Sequence, residues 1–257
     1  MAEAMLRGLV QSGARLLASD PDPARREKIE AALGVEVIPD NTELVRRVQV
    51  VVLAVKPQVA PAVLEEIGSS LRPGQSLLSI VAGLRLMTMA RFLPAGVASI
   101  RAMPNTPALI GEGITAVATE AGGEMEELAR AILAPLGRVI FLPEVLLDAV
   151  TGLSGSGPAY VALFAEALIE GGVKVGLPRP VARELAVQTL LGTARMLAAG
   201  EPPGALRERV TSPGGTTAYG LLALERGGLR ATVIEAISAA TARAVELGLL
   251  TEKGTEG

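Results

Sequence analysis

The segment that most constrains the fold is Val48–Val55 (VQVVVLAV), an almost entirely apolar run that is rich in β-branched side chains. Such a run predicts a strand buried on both faces, which is typical of a parallel sheet covered by helices. Similar runs alternate with helix-like segments, roughly every 10 to 15 residues, which indicates βαβ units and an α/β domain. The predicted strands are Arg15–Ser19, Val35–Ile38, Val48–Val55, Ser76–Val81, Val97–Ala102, Gly113–Thr119 and Val139–Leu142.

The pattern changes after about residue 147, where no further strand is predicted. Three long segments rich in Ala and Leu predict helices at Ser156–Val175, Pro178–Ala199 and Leu229–Leu250. We therefore expect two domains, an α/β domain over residues 1–146 and an all-α domain over residues 147–257. The predicted helices are apolar on most faces, which favours their burial in an oligomer.

Composition excludes several kinds of chemistry. The 257 residues contain neither Cys nor His, which excludes disulfides, thiolate nucleophiles, Ser-His-Asp catalysis and Cys- or His-ligated metals, and we expect no metal. Any catalysis must use carboxylates, Lys, Tyr, hydroxyls, backbone dipoles or a cofactor. The 24 basic and 27 acidic residues are evenly spread, and there are only five aromatic residues, so we expect no nucleic-acid partner.

No segment has the character of a membrane span or a signal peptide. The longest uncharged run, Ala149–Ala165, has 17 residues, and its Gly, Ser and Pro residues make it too polar as well as too short. The first ten residues carry Glu3 and lack a cleavage site. We therefore expect a cytoplasmic protein without a membrane partner.

The start of the chain lacks the usual opening of a dinucleotide-binding sheet, which is a strand, a glycine loop and a helix. No G-x-G-x-x-G occurs in the sequence, yet Met1–Gly13 has the spacing of the helix that would follow such a loop. The alternative is a helix that simply begins the chain.

Polar residues follow the predicted strands, where a parallel sheet binds ligands. Asp20 after the first strand is placed to bond a ribose 2′-hydroxyl and favours NAD, whereas Ser19 with Arg25 and Arg26 would suit a 2′-phosphate. The structural alternative is that Ser19-Asp20 caps the next helix.

Two further strand ends carry candidate binding residues. Lys56 follows the strongest strand and is placed to face a phosphate or ribose, although a lone Lys at a strand end is more often solvated. Arg101–Pro107 (RAMPNTP) contains two prolines that fix a rigid turn presenting Asn105 and Thr106. An ordinary polar turn is the alternative.

The predicted helical domain holds two glycine-rich segments. In Thr151–Tyr160 (TGLSGSGPAY) Ser156 is predicted to cap the following helix, and without G-x-S-x-G or His the segment does not indicate a hydrolase. In Thr211–Thr217 (TSPGGTT) two glycines and hydroxyl residues precede a helix, which favours an anion nest of N–H donors. A small carboxylate would fit there, and a decorated interhelical turn is the alternative.

Five motifs together resemble the pyrroline-5-carboxylate reductase family over nearly the whole chain, and their order and spacing are highly specific. They are LAVKPQ (Leu53–Gln58), RAMPNTP (Arg101–Pro107), DAVTGLSGSGPAY (Asp148–Tyr160), EGGVKVGLPR (Glu170–Arg179) and VTSPGGTT (Val210–Thr217). The resemblance implies a Rossmann-type N-terminal domain and a helical C-terminal domain for substrate binding and dimerisation. It further implies a cytoplasmic oxidoreductase of proline biosynthesis, with homodimers as the basic unit and decamers built from them. The implied reaction is hydride transfer from NADPH or NADH to 1-pyrroline-5-carboxylate, giving L-proline.

The resemblance also assigns roles to individual residues. The substrate carboxylate is expected on the loop of Gly214 and Gly215, bound by the N–H groups of Thr216 and Thr217 and the Thr217 hydroxyl, with Ser212 beside it. Glu201 matches a substrate-side glutamate, and with Thr217 it forms the expected catalytic pair. The expected cofactor-binding residues are Ser19, Asp20, Asn41, Ala54, Val55, Lys56, Pro57, Ala82, Gly83 and Asn105.

The family normally begins with a strand and G-x-G-N-M-A, and this sequence begins at the position of that Met. We expect the missing strand to be central in the sheet, and the sequence to be an N-terminally shortened form of a normal reductase. Two other functions stay open at this stage. One is a truncated, non-catalytic oligomeric homologue, and the other is a related β-hydroxyacid-type dehydrogenase.

Overall fold

The computed structural model describes residues 1–253, which fall into two units. One unit comprises Met1–Ser156 together with the residues from Ser238 onward, and the other comprises Gly157–Ile237. Within residues 1–253, none of the helices combines the length and the apolar character that a membrane span requires.

The first unit contains all seven strands of the described chain, separated mostly by helices. The strands are β1 Leu17–Ser19, β2 Glu36–Ile38, β3 Val50–Leu53, β4 Ser76–Ser79, β5 Ala98–Met103, β6 Gly113–Thr119 and β7 Gly137–Phe141. The helices are α1 Ala2–Val10, α2 Pro23–Leu33, α3 Asn41–Arg47, α4 Ala60–Gly68, α5 Leu86–Ala90, α6 Gly123–Leu133 and α7 Leu147–Val150. The α/β alternation of the sequence is therefore confirmed.

The strands form two separate sheets. One has the order β3-β4-β5-β6-β7, with β3 to β5 parallel, β6 antiparallel to β5, and β7 parallel to β6. The other is the parallel pair β1-β2. In the doubly wound order one more strand lies between the strands that correspond to β1 and β3. The break in pairing thus falls at the position of the central strand that the sequence lacks.

Apolar side chains pack on both faces of the larger sheet. Along β4, Leu77 belongs to one buried cluster and Leu78 to the other. In β3, Val51 and Leu53 face the first cluster, whereas Val52 packs against the second. This burial of both faces explains why the sequence of β3 is continuously apolar instead of alternating.

The second unit is helical. It contains α8 Gly157–Lys174, α9 Arg179–Ala198, α10 Pro203–Arg209, α11 Thr216–Arg226 and the first part of α12 Leu229–Lys253. Among its residues, Ala182 and Ala186 are the two that are buried. Many of its large apolar side chains are exposed, including those of Val161, Leu163, Val175, Leu185 and Ile234.

One expected helix start is wrong. Ser156 does not cap a new helix, because the chain is already helical from Leu147 and continues through a π-helical turn at Thr151–Gly155. The Ser156 N–H donates to the Thr151 carbonyl oxygen at 2.9 Å, which is the i to i+5 bond of that turn. The short helices α5 and α10 were not predicted.

Candidate functional site

The carboxyl end of β1 brings together two residues that the sequence placed at the cofactor. The Ser19 hydroxyl donates to Asn41 Oδ1 at 2.7 Å, and Asn41 Nδ2 donates to Glu66 Oε2 at 3.0 Å. Asn41 is the first residue of α3, whose N-cap is Asp40. The Glu43 backbone N–H donates to the Asp40 carboxylate and, with Thr42, holds the pKa of Asp40 below its usual value.

Asp20 follows directly and is half-buried. Its Oδ1 accepts from the Asp22 N–H at 2.9 Å, and its Oδ2 lies 3.7 Å from Arg25 Nη1. Arg26 instead donates to the carbonyl oxygens of Asp20 and Pro21, each at 2.9 Å. The residue that caps α2 is Asp22, which accepts from the Ala24 N–H. The capping interpretation of Ser19-Asp20 is therefore wrong.

The ends of β3 and β4 lie side by side because these strands are adjacent and parallel. The first is followed by Ala54–Pro57 and the second by Ala82 and Gly83. Lys56 is exposed and forms no ion pair with any residue in the part of the chain that the structure describes. Gly83 has φ +78°, and a Cβ there would lie 3.1 Å from the backbone nitrogen of Gly248 in α12.

Asn105 follows β5, and its side chain forms a hydrogen bond within the fold. Its Oδ1 accepts from the Ile114 N–H at 3.0 Å, which joins the end of β5 to the start of β6. The predicted turn is a short 3-10 helix at Thr106–Ile110, with Thr106 exposed. The side-chain nitrogen of Asn105 remains available for a ligand.

An ion cluster behind these strand ends was missed by the sequence analysis. The buried guanidinium of Arg101 in β5 lies 3.2 Å from Glu144 Oε1 and 2.8 Å from Asp148 Oδ1. Glu144 Oε1 also accepts from the Leu86 N–H at 2.7 Å, and Arg85 Nη2 lies 3.9 Å from Asp148 Oδ2. The available signal was an arginine inside a mostly apolar strand.

In the second unit, the loop before α11 has the geometry of an anion nest. Gly214 has φ +66°, Gly215 is the N-cap residue, and the Gly215 N–H donates to the Ser212 carbonyl oxygen at 3.0 Å. The N–H groups of Thr216 and Thr217 open the helix and donate to no acceptor among residues 1–253. Such a pair of donors at a helix N-terminus favours an anionic group.

Glu201, also in the second unit, is already paired. Its carboxylate oxygens lie 2.6 and 2.7 Å from Arg209 Nη2, so an ion pair joins the residue before the N-cap of α10 to the last residue of that helix. Arg209 ends α10, shortly before the loop that holds Ser212. Nowhere in residues 1–253 do three or more His, Cys, Asp or Glu residues gather where they could hold a metal ion.

Comparison with known proteins decides the family. Residues 144–247 match the profile for pyrroline-5-carboxylate reductase dimerisation, and residues 1–83 match an NADP oxidoreductase, coenzyme F420-dependent, profile. The pyrroline-5-carboxylate reductase of Synechocystis sp. is 46% identical over 256 residues, covering 96% of this chain and 95% of that protein. Pyrroline-5-carboxylate reductase 3 of Mus musculus is 43% identical, covering 96% and 92%.

The chain belongs to the pyrroline-5-carboxylate reductase family. Solved structures agree. The pyrroline-5-carboxylate reductase of Coxiella burnetii superposes with a TM-score of 0.88 at 35% identity, covering 96% of this chain and 94% of that one. The Plasmodium falciparum pyrroline carboxylate reductase, solved with NADP bound, gives 0.86 at 31% identity, covering 95% and 93%.

Family membership confirms the expected fold, a Rossmann-like sheet followed by a helical dimerisation segment. It also confirms the expected class of activity, that of an NAD(P)H-dependent oxidoreductase. The comparisons give no support to a β-hydroxyacid-type dehydrogenase or to a non-catalytic homologue.

Proposed function

We propose that this chain reduces 1-pyrroline-5-carboxylate to L-proline, the last step of proline biosynthesis, with NAD(P)H as the hydride donor. The observation that carries the proposal is the pair of unpaired N–H groups at Thr216 and Thr217, above a loop of two glycines. This nest fits the single carboxylate of the substrate, and it lies in a segment that matches the family's dimerisation profile.

We assign the dinucleotide to the carboxyl ends of the strands in the first unit. Ser19, Asp20 and Asn41 surround the end of β1 and are assigned to the adenosine side. The residues assigned to the nicotinamide side and the adjoining phosphates are Ala54, Val55, Lys56, Pro57, Ala82, Gly83 and Asn105. Gly83 has φ +78°, and the side on which a Cβ would lie is filled by the backbone of Gly248 in α12, so the missing Cβ lets that helix pack against this turn. When bound, the nicotinamide ring supplies the hydride.

On the substrate side, residues of the second unit are assigned to bind and orient 1-pyrroline-5-carboxylate. We assign the carboxylate to the N–H groups of Thr216 and Thr217 and to the Thr217 hydroxyl, and we assign to the same hydroxyl a hydrogen bond near the ring nitrogen. Ser212 and the glycines at 214 and 215 shape the loop. Glu201, whose carboxylate is paired with Arg209, is also assigned to the substrate. A protonated cyclic imine is already electrophilic, so orientation provides most of the catalysis and neither His nor Cys is required.

We further propose the division of labour between segments. Residues 1–146 form the dinucleotide-binding domain, and residues 147–257 bind substrate and form a homodimer, from which decamers are built. The exposed apolar side chains of α8 and α9 support this assembly, because an exposed apolar surface of this kind is typical of a protein–protein interface. The protein acts in the cytoplasm on a small molecule, without a nucleic-acid or membrane partner.

The first test is oxidation of NADH and NADPH by this chain with 1-pyrroline-5-carboxylate, beside a version extended by a strand and a glycine loop typical of the family. We expect the extended version to turn over substrate. We expect the present chain to have a lower kcat/KM, because the glycine loop binds the pyrophosphate of the cofactor. No oxidation by either protein would contradict the proposed function.

Thr217→Val tests the hydroxyl while it preserves the shape of the side chain and the backbone N–H. We expect kcat/KM for 1-pyrroline-5-carboxylate to fall about tenfold or more, roughly 1.4 kcal/mol of transition-state stabilisation. Tyr219→Phe is the control, since it removes an exposed hydroxyl from the same helix. A decrease in kcat/KM of less than about threefold for Thr217→Val would show that the hydroxyl has no role in the reaction.

A further inference from the structure

The turn between β4 and α5, residues 80–85, is held at both of its ends by hydrogen bonds to other elements. At its start, the Ile80 N–H donates to the Leu53 carbonyl oxygen at 3.1 Å, which continues the pairing of β3 with β4. At its end, the Leu86 N–H, which is the first of α5, donates to Glu144 Oε1 at 2.7 Å. We refer to residues 80–85 as the β4–α5 turn.

The bond from Leu86 to Glu144 is one that the turn cannot supply from its own last residue. Arg85 is the N-cap residue of α5, and its guanidinium only donates hydrogen bonds, so it cannot accept from the Leu86 N–H. Leu86 is buried, and a buried N–H without an acceptor costs free energy. A carboxylate 58 residues further along the chain therefore determines how the turn ends.

The Glu144 carboxylate is itself held in place by a buried cation. Arg101 Nη1 lies 3.2 Å from the same oxygen, Oε1, and Arg101 Nη2 lies 2.8 Å from Asp148 Oδ1. The Arg101 side chain is 4% exposed, so its guanidinium has little freedom to move elsewhere. Hydrogen bonds between charged groups are stronger than those between neutral groups. Glu144 thus connects the turn to the paired strand β5.

The middle of the turn packs against the backbone of another helix. A Cβ on Gly83 would lie 3.1 Å from the backbone nitrogen of Gly248 in α12, and a Cβ on Gly248 would lie 3.6 Å from Arg85 Nε. These residues and Glu144 all belong to the first unit. With so little room at Gly83, a shift of the Leu86 end of the turn changes how the whole turn lies.

We infer that Glu144 is a positioning residue for the nicotinamide ring of the cofactor. The inference rests on the proposed function only in taking the nicotinamide to lie beside Ala82 and Gly83. Glu144 sets where these two residues lie through the Leu86 N–H, and Arg101 sets where the Glu144 carboxylate lies. Hydride transfer requires the reacting carbon atoms to be close and aligned, so this turn affects the nicotinamide more than the rest of the dinucleotide.

The test compares each cofactor with a fragment of it that lacks the nicotinamide, and it does not depend on turnover. Affinities for NADPH and 2′-phospho-ADP-ribose, and for NADH and ADP-ribose, are determined by isothermal titration for the unaltered chain and for Glu144→Ala. We expect Glu144→Ala to weaken the binding of both cofactors about tenfold, because the turn loses its anchor, and that of the fragments less than about twofold. A role in folding alone would weaken cofactor and fragment equally.

Glu144→Gln is the conservative variant, since Gln keeps an oxygen that accepts from the Leu86 N–H. We expect it to retain the ratio of cofactor affinity to fragment affinity within about threefold. Asp148→Asn is the matched control, because it removes a charge from the same cluster and leaves the Leu86 N–H bonded to Glu144. We expect it to lower the melting temperature and to change the ratio less than about twofold.

Three results for the binding measurements would overturn the inference. They are an equal loss of affinity for cofactor and fragment in Glu144→Ala, unchanged affinities in that variant, and no binding of either cofactor by the unaltered chain. A loss confined to NADPH and NADH would support the inference. If that selective loss occurs in a chain that oxidises neither cofactor with 1-pyrroline-5-carboxylate, the inference stands and the proposed function fails.

Discussion

Among the described residues, Arg101 is the one charged side chain that is buried, and its surroundings explain why β5 tolerates an arginine. Two carboxylates, those of Glu144 and Asp148, bond its guanidinium. Glu144 also accepts from the Leu86 N–H, so one carboxylate joins β5 to the start of α5. A buried charge is stable only when its hydrogen bonds are met, so each member depends on the others.

Arg101→Met should destabilise the chain strongly, because two partly buried carboxylates would lose their counter-charge. We expect the free energy of unfolding to fall by about 3 kcal/mol, measured by urea denaturation followed by circular dichroism. The control is Arg138→Met on β7, an exposed arginine, for which we expect a change within about 0.5 kcal/mol. Equal losses in both variants would show that the cluster contributes nothing special.

At this scale, the sequence predicted residues close to a strand or helix end better than residues with distant partners. The family resemblance assigned Ser19 and Asn41 to the same end of the cofactor, and their side chains are hydrogen-bonded in the structure. The role of Arg101 could not be predicted, because its partners lie 43 and 47 residues further along the chain. The roles assigned to Ser19 and Asn41 at the cofactor, and to the Thr211–Thr217 loop at the substrate, stay predictions.

At the scale of elements, the C-terminal half of α12 packs against the turn after β4. The contact is made by two glycines, with a Cβ on Gly83 falling 3.1 Å from the Gly248 nitrogen and a Cβ on Gly248 falling 3.2 Å from the Gly83 carbonyl oxygen. Both belong to the first unit. The last helix of the chain therefore supports the turn that is assigned to the nicotinamide.

Gly83→Ala should disturb this contact and the turn together. The new methyl group would meet helix backbone, which cannot swing aside, and Ala at φ +78° is strained. We expect the free energy of unfolding to fall by about 1 to 3 kcal/mol and NADH to bind more weakly. Gly123→Ala is the control, since a Cβ there meets open space at the first turn of α6. If Gly83→Ala retains full stability and affinity, the glycine contact has no role.

The strands and the long helices were predictable from their apolar residues, whereas two short helices were not. The strand at Val50–Leu53 follows from its apolar run because both of its faces are buried. By contrast, α5 and α10 have five and seven residues, too few to show helical periodicity. The π-helical turn at Thr151–Gly155 contains the i to i+5 bond from the Ser156 N–H to the Thr151 carbonyl oxygen, and its three Gly and Ser residues predict a loop equally well.

At the scale of the whole molecule, the helices of the second unit leave many of their own large apolar side chains exposed. Ala182 and Ala186 are its two buried residues, while Leu163 in α8 is 68% exposed and Leu185 in α9 is 53% exposed. Burial of such side chains contributes about 1.5 to 3 kcal/mol each, a gain that another copy of the chain would supply. The match of residues 144–247 to a dimerisation profile agrees with this expectation.

Leu163→Glu should therefore break the assembly. A carboxylate placed in an apolar interface loses its hydration without a partner, so we expect the unaltered chain to sediment as a dimer or larger at micromolar concentration and the variant to sediment as a monomer. The unaltered chain should also melt at a temperature that rises with protein concentration, and the variant should lose that dependence. Val10→Glu makes the same change on an exposed residue of α1 and should leave the sedimentation unchanged. The helices do not form the expected interface if the unaltered chain is a monomer at micromolar concentration. The same follows if the unaltered chain and Leu163→Glu sediment as oligomers of equal size.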